Sequence, residues 1–162
     1  MIQMNITEYL KPGDLYVSKE PALYKTVLGS CISICLHDRR LKTGGINHFI
    51  YASAGKGNSS DFYGDISSEN LIRKMLDSGS KLNDLVACVI GGATGFSISP
   101  TESPGSRNIK VACAILEKWR IPIIESDIGG KTGRILIFYT ESNEIIVEKI
   151  KTTVGSCLNV PL

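Results

Sequence analysis

Long apolar runs are absent from this sequence. None reaches the ~18 residues that a membrane-spanning helix needs, so direct membrane insertion is not expected. Charge of one sign is also lacking: 18 Lys and Arg stand against 16 Asp and Glu, a formal net charge of +2. That balance gives no reason to expect nucleic acid or an anionic membrane as the main partner. The short basic cluster DRRLK, Asp38–Lys42, reads as a solvated turn. The opening MIQMNITEYL has no basic start leading into an apolar stretch and a cleavage site, so no secretory leader is expected. The NIT at Asn5–Thr7 is then a coincidental match to the glycosylation pattern. Internal repeats are missing too; VGSC at Val154–Cys157 echoes LGSC at Leu28–Cys31, but four residues are too few for a duplication. The five cysteines are odd in number and irregularly spaced. With no leader, they point to reduced thiols in the cytoplasm.

What is present is an ordinary globular composition, 43% hydrophobic and 21% charged. The length of 162 residues points to one domain, 1–162, with a single core and an unassigned tail from Thr152. Asn5–Lys19 alternates loosely and reads as one strand; Ser18–Tyr24, broken by Pro21, reads as a turn. TVLG and CISICLH are two strand pieces with a sharp bend at Gly29–Ser30. RRLKTGG is a turn, GINHFIYAS a strand, and Ser53–Asp65 a Gly- and Ser-rich mobile loop. SSENLIRKMLDSGS reads as a helix capped by Ser67 or Ser68, with Leu71, Ile72, Met75 and Leu76 as its apolar stripe. Leu85–Ala93 is a buried strand, and TGFSISPTESPG a second loop. SRNIKVACAILEKWR is the clearest helix, with Ile109, Ala112, Cys113, Leu116 and Trp119 on one face and Pro122 beyond its end. IPIIESDI, RILIFYT and IIVEKIK read as three consecutive antiparallel strands. Strands outside strict β-α-β alternation predict an α/β sandwich: one or two mostly antiparallel sheets with about two main helices alongside.

Cys31 carries the functional question. A free thiol titrates near ~8.5 and needs help to become a nucleophile. A histidine within hydrogen-bonding reach is the usual helper. Of the two histidines, His37 shares a strand with Cys31, about 20 Å away at ~3.3 Å per residue, and cannot reach it. His48 lies on the next strand, which can double back to place it beside Cys31. The small residues of LGSC also free backbone N–H groups, that of Cys31 among them, to hold an oxyanion. Cys35, Cys88 and Cys113 sit on apolar faces and read as core; Cys157 is undecided. An activated Cys31 is expected to alkylate near neutral pH ahead of the other four. The rival reading, a zinc site of Cys31, Cys35, His37 and His48, fails on distance. Cys31 and Cys35 lie about 13 Å apart along a strand, and zinc ligands sit at ~2.0–2.3 Å. The glycine runs GGATG, Gly91–Gly95, and GGKTG, Gly129–Gly133, match neither a P-loop nor a dinucleotide fingerprint. They read as turns or close backbone approaches.

Taken in order, LGSCISICLHD, GGINHFIYAS, VIGGATGF, GSRNIKVACAILEKWRIPI and ESDIGGKTGRILIFYTESNEIIVEKI resemble the CheD family, the chemoreceptor glutamine deamidases of chemotaxis. The resemblance runs from about Thr26 to Ile150. It implies a catalytic triad of Cys31, His48 and Thr26, and an α/β sandwich similar to the catalytic domain of deamidating toxins. It implies hydrolysis of receptor glutamine side chains to glutamate and ammonia through a thioester, with no metal or organic cofactor. It also implies two partners, the cytoplasmic part of methyl-accepting chemoreceptors and a CheC-type phosphatase. Two departures stand out: HFIYAS has no proline where the family usually carries one, and Thr94 stands where a methionine commonly follows GGA. Beside deamidation stand related thiol acyl-transfer reactions such as transglutamination, and a non-catalytic module that regulates a CheC-type phosphatase.

Overall fold

A computed structural model describes residues 5–95, 99 and 101–151. The tail from Thr152, with Cys157, lies outside the described residues. The strands are β1 Glu8–Tyr9, β2 Leu15–Ser18, β3 Leu23–Leu28, β4 Ile32–Asp38, β5 Thr43–Asn47, β6 Leu85–Gly91, β7 Ile123–Ile128, β8 Arg134–Tyr139 and β9 Glu144–Lys149. The two helices longer than a single turn are α1 Gly64–Asp77 and α2 Pro104–Lys118. They form three layers. A four-stranded sheet, β1-β3-β8-β9, packs on a five-stranded sheet, β2-β5-β4-β6-β7. The helices cover the far side of the five-stranded sheet. This is the expected α/β sandwich, with all but two of the strand pairings antiparallel.

Strand β4 shows why the layers form. Its sequence ISICLHD is buried at every position. Successive side chains point to opposite faces of a strand. Ile32, Ile34 and Leu36 therefore meet Leu71, Ile72 and Met75 of α1 and Leu116 of α2. Cys35 faces the other way, toward Leu28, Ile46, Cys88, Leu136 and Phe138 between the sheets. A strand covered on both faces needs no polar alternation, which is why β4 and β6 read as continuous apolar runs. Each large apolar side chain fully buried in this way stabilises the fold by about 1.5–3 kcal/mol.

Five details differ from expectation. Asn5–Lys19 is not one strand: the turn at Pro12–Gly13 splits it, and β1 and β2 join different sheets. β3 starts at Leu23, inside the expected turn, because Leu23 and Tyr24 bury against the inter-sheet core and pair with β8. β7 does not neighbour β8. It crosses to the five-stranded sheet and pairs parallel with β6, so GGKTG joins two sheets rather than two adjacent strands. Helix α1 begins at Gly64 with Tyr63 at its N-cap and no side-chain cap. Ser67 and Ser68 lie buried inside it, and the Ser67 hydroxyl accepts from Asn47 Nδ2 at 3.0 Å. In α2 the start also falls earlier. Ser103 caps it by accepting from the Ser106 N–H, and Pro104 takes the first turn, where a missing N–H does no harm.

Candidate active site

Between β3 and β4 the chain crosses from one sheet to the other in three residues, Gly29, Ser30 and Cys31. All three carbonyls of this crossing are tied. Gly29 accepts from the Ala93 N–H at 3.0 Å and Cys31 from the Gly92 N–H at 2.8 Å. Ser30 accepts from Asn108 Nδ2 at 2.9 Å. The same Asn108 amide donates to the Ile50 carbonyl at 2.7 Å, joining the Cys31 segment to the segment that follows His48. The glycines of GGATG make this close approach possible. Gly91 has φ +116 and Gly92 φ +72, and a Cβ at Gly91 would run into the Cys31 carbonyl oxygen. Underneath, the buried Arg134 guanidinium donates to Asp127 Oδ1 at 2.8 Å and to the carbonyls of Gly129 and Gly91 at 2.7 and 3.4 Å. The backbone N–H groups of Gly29 and Cys31 lie close enough to the Cys31 sulfur to favour its charged form.

His48 is fixed from both sides of its backbone. Its N–H donates to the Asp14 carbonyl at 3.0 Å, and its carbonyl accepts from the Gly13 N–H at 2.8 Å. The register that pairs Cys35 with Ile46 continues to a bridge between Ile32 and Phe49, which sets His48 diagonally across from Cys31. Its ring reaches into the space between the sheets, where Nδ1 lies 2.8 Å from Thr26 Oγ1. The Thr26 hydroxyl has a single proton, and it goes to the Leu10 carbonyl at 2.9 Å. The hydroxyl can then only accept from His48, so Nδ1 carries the ring proton and Nε2 carries the lone pair. That Nε2 is buried and has no hydrogen-bond partner among the described residues. Burial lowers the His48 pKa to about 4, with nearby Asp14 opposing it, so the ring is neutral at pH 7.

Thr26, Cys31 and His48 line one cavity of about 530 Å³, together with Leu10, Pro12 and Ile135 among others. The structure brings Thr26 and His48 into direct contact. It places Cys31 on the same cavity without a hydrogen bond to the imidazole. Burial pushes the Cys31 thiol above its ordinary value; the backbone of Cys31 and Gly29 pulls it back in part. The resting pair is therefore thiol and neutral imidazole, a direction that runs against ready alkylation of Cys31 near neutral pH. Cys35 and Cys88 are buried directly opposite each other on β4 and β6, with Cys88 pushed up to about 12, mainly by desolvation. His37 lies at the far end of β4 and donates from Nδ1 to the Thr140 carbonyl at 2.9 Å. No three His, Cys, Asp or Glu side chains among the described residues come together in a way that could hold a metal ion. Asn108 and Arg134 were not singled out by the sequence reading. Asn108 carried a signal all the same: it sits four and eight residues before Ala112 and Leu116, a polar residue on the apolar stripe.

Fold and site together define a class: a β/β/α sandwich whose sheet-crossing segment sets a cysteine beside a threonine-held histidine. Within that class the chain belongs to the CheD family. The family model described as CheD chemotactic sensory transduction matches residues 51–149. That match begins just after His48, but the alignments to relatives are wider. A protein of Trichlorobacter lovleyi, "Probable chemoreceptor glutamine deamidase CheD", is 39% identical over 88% of this chain and 90% of its own. One of the same name from Rhodospirillum rubrum is 36% identical over 90% and 84%. Another, from Sulfurimonas denitrificans, is 33% identical over 90% and 96%. A solved structure, Bacillus licheniformis hypothetical protein YfiH, matches 70% of this chain and 50% of its own with a TM-score of 0.48 and 15% identity. Among the described residues no helix is long and apolar enough to cross a membrane.

Proposed function

We propose that this protein deamidates glutamine side chains of methyl-accepting chemoreceptors in the cytoplasm, with Cys31 as nucleophile, His48 as general base and acid, and Thr26 as the residue that orients His48. The observation that carries the reading is the unpaired, buried Nε2 of His48, held in that tautomer by Thr26 on the cavity that Cys31 lines. The names of the relatives support the substrate. Entry of a glutamine side chain brings its amide carbon to Cys31. Nε2 takes the thiol proton as sulfur bonds to that carbon, and the C=O electron pair moves to oxygen. Backbone N–H groups of the Gly29–Cys31 crossing, that of Cys31 among them, would hold this oxyanion. The tetrahedral centre collapses, the C–N bond breaks, and His48 hands its proton to the departing nitrogen, which leaves as ammonia. A thioester remains. His48 then takes a proton from water as the oxygen attacks, and returns it to sulfur as the C–S bond breaks, giving glutamate and the free thiol. A neutral histidine suits both halves, because it must accept a proton before it donates one.

The test is mass spectrometry of a receptor cytoplasmic fragment incubated with the protein, beside a Cys31→Ala control. Conversion of specific glutamines to glutamates by the wild type alone is expected. If every glutamine stays intact while a CheC-type phosphatase binds, regulation of that phosphatase replaces deamidation as the function.

A further inference from the structure

Ser33 is a fully buried polar residue in the apolar run of β4, and its hydroxyl has no hydrogen-bond partner among the described residues. Leaving a buried hydroxyl unsatisfied costs about 1–3 kcal/mol, so its neighbours matter. The β4–β5 ladder fixes them. Cys35 pairs with Ile46, and Ile32 with Phe49, in the same register, so Ser33 stands directly across from His48. Ile32 and Phe49 exchange both backbone hydrogen bonds, at 3.1 and 3.0 Å, which makes the next pair a non-hydrogen-bonded one. The backbone of His48 agrees, since its N–H and carbonyl turn the other way, to Asp14 and Gly13. In such pairs the Cα atoms approach to ~4.5 Å and the side chains come close. Alternate residues of a strand share a face, so Ser33 lies on the inter-sheet face of β4 with Cys31 and Cys35. It is ~6.6 Å along the strand from Cys31. Its cross-strand neighbour carries a second buried atom without a partner, His48 Nε2. Thr26, the other hydroxyl beside the ring, is already committed to Leu10 and Nδ1.

We propose that the Ser33 hydroxyl and His48 Nε2 together hold the water that hydrolyses the thioester, and that Ser33 thereby commits the acyl group to hydrolysis rather than to transfer onto an amine; the proposal rests on the deamidase reading. Two buried polar atoms on opposed residues, not bonded to each other, are what a bridging water joins. The cavity that Cys31 and His48 line adjoins this pair. The water donates one hydrogen to Nε2 and the other to Ser33 Oγ, which turns an oxygen lone pair toward the thioester carbon on Cys31. Nε2 takes the first proton as the O–C bond forms and the C=O electron pair moves to oxygen. The C–S bond then breaks, and the proton passes from Nε2 to sulfur. Ser33 ends with the proton it began with. Acylation needs only Cys31, His48 and the backbone N–H groups, so Ser33 acts in the second half of the cycle alone. An amine has to enter past the exposed Tyr9 and Val27 at the cavity rim, whereas Ser33 is wholly buried behind it, so the water is in place first.

The experiment mixes the protein with a receptor cytoplasmic fragment under rapid quench. It follows ammonia release and the protein–receptor thioester, seen by mass spectrometry as a conjugate of summed mass that hydroxylamine cleaves. Wild type should release ammonia linearly with little conjugate. Ser33→Ala should give a burst of about one ammonia per enzyme, then a steady rate roughly 10- to 100-fold lower, with the conjugate accumulating. Hydroxylamine should raise that slow rate and divert product to the hydroxamate, more in Ser33→Ala than in wild type. Ser33→Thr, which returns the hydroxyl, should abolish the burst. The ratio of burst rate to steady rate does not depend on the folded fraction, so a variant that folds poorly still reports. Turnover of Ser33→Ala like wild type overturns the proposal. So does equal slowing of both phases without conjugate, the mark of a merely structural role. If the wild type releases no ammonia, the deamidase reading falls and this assignment falls with it.

Discussion

Thr26 has one proton to give, and it gives it to the Leu10 carbonyl rather than to His48. The role that follows is narrow: it accepts, and so fixes the imidazole. Thr26→Val keeps the shape and removes the acceptor. It should lower kcat about 10- to 100-fold with little change in KM, and Thr26→Ser should restore most of the rate; steady-state ammonia release would show it. The buried imidazole also makes stability depend on pH. The folded-state pKa of His48 is about 4, below the unfolded value near 6.5. Its contribution is complete above pH 6.5 and is lost as pH falls toward 4, because the unfolded chain binds the proton first; His37 shifts the same way. The loss amounts to about 3 kcal/mol from His48, visible as a lower urea midpoint at pH 4.5 than at 7.5, and His48→Gln should flatten the slope. For Cys31, alkylation by iodoacetamide should be slow at pH 7 and accelerate above pH 9, since its pKa is raised. Fast labelling at neutral pH would contradict the neutral resting pair.

At the level of elements, the bend between β3 and β4, the apolar β6 and the two helices were legible. Each rests on local chemistry: Gly29 and Ser30 at a break in β-branched runs, and a 3.6-residue stripe in α1 and α2. Partner choice was not legible, because it is decided by packing. β7 and β8 look alike in sequence, yet one pairs with β6 and the other with β3. The cysteine and histidine of the site were legible for the same local reason, as neighbours across one turn. Thr26 came only from the family resemblance, since nothing in a strand's pattern says that its hydroxyl meets a ring from another sheet. The glycine turn after β6 was legible as a close approach, but not what it approaches. Asn108 on α2 is the test of that bracing. Asn108→Ala strips the Ser30 and Ile50 carbonyls of their shared donor and should destabilise the fold by about 2 kcal/mol. It should also lower kcat more than it raises KM, measured on the folded fraction, because the Cys31 crossing loosens.

Across the whole molecule, β4 and β6 lie inside the five-stranded sheet, with the helices on one side and the second sheet on the other. Their amides should be the slowest to exchange with solvent, and those of the two-residue β1 and the outer β9 among the fastest. Hydrogen exchange with mass spectrometry would reverse this picture if the four-stranded sheet were the stable half. Thr26 belongs to one sheet and His48 to the other, which gives their hydrogen bond a second meaning. The neighbours of Thr26 on β3, Lys25 and Val27, point outward, so a one-residue slip of that strand would present a lysine or valine to the ring. The nitrogen shifts of His48 in an NMR spectrum are therefore a gauge of how the two sheets are aligned. A chain folded in the wrong register would lose the hydrogen bond that sets this tautomer.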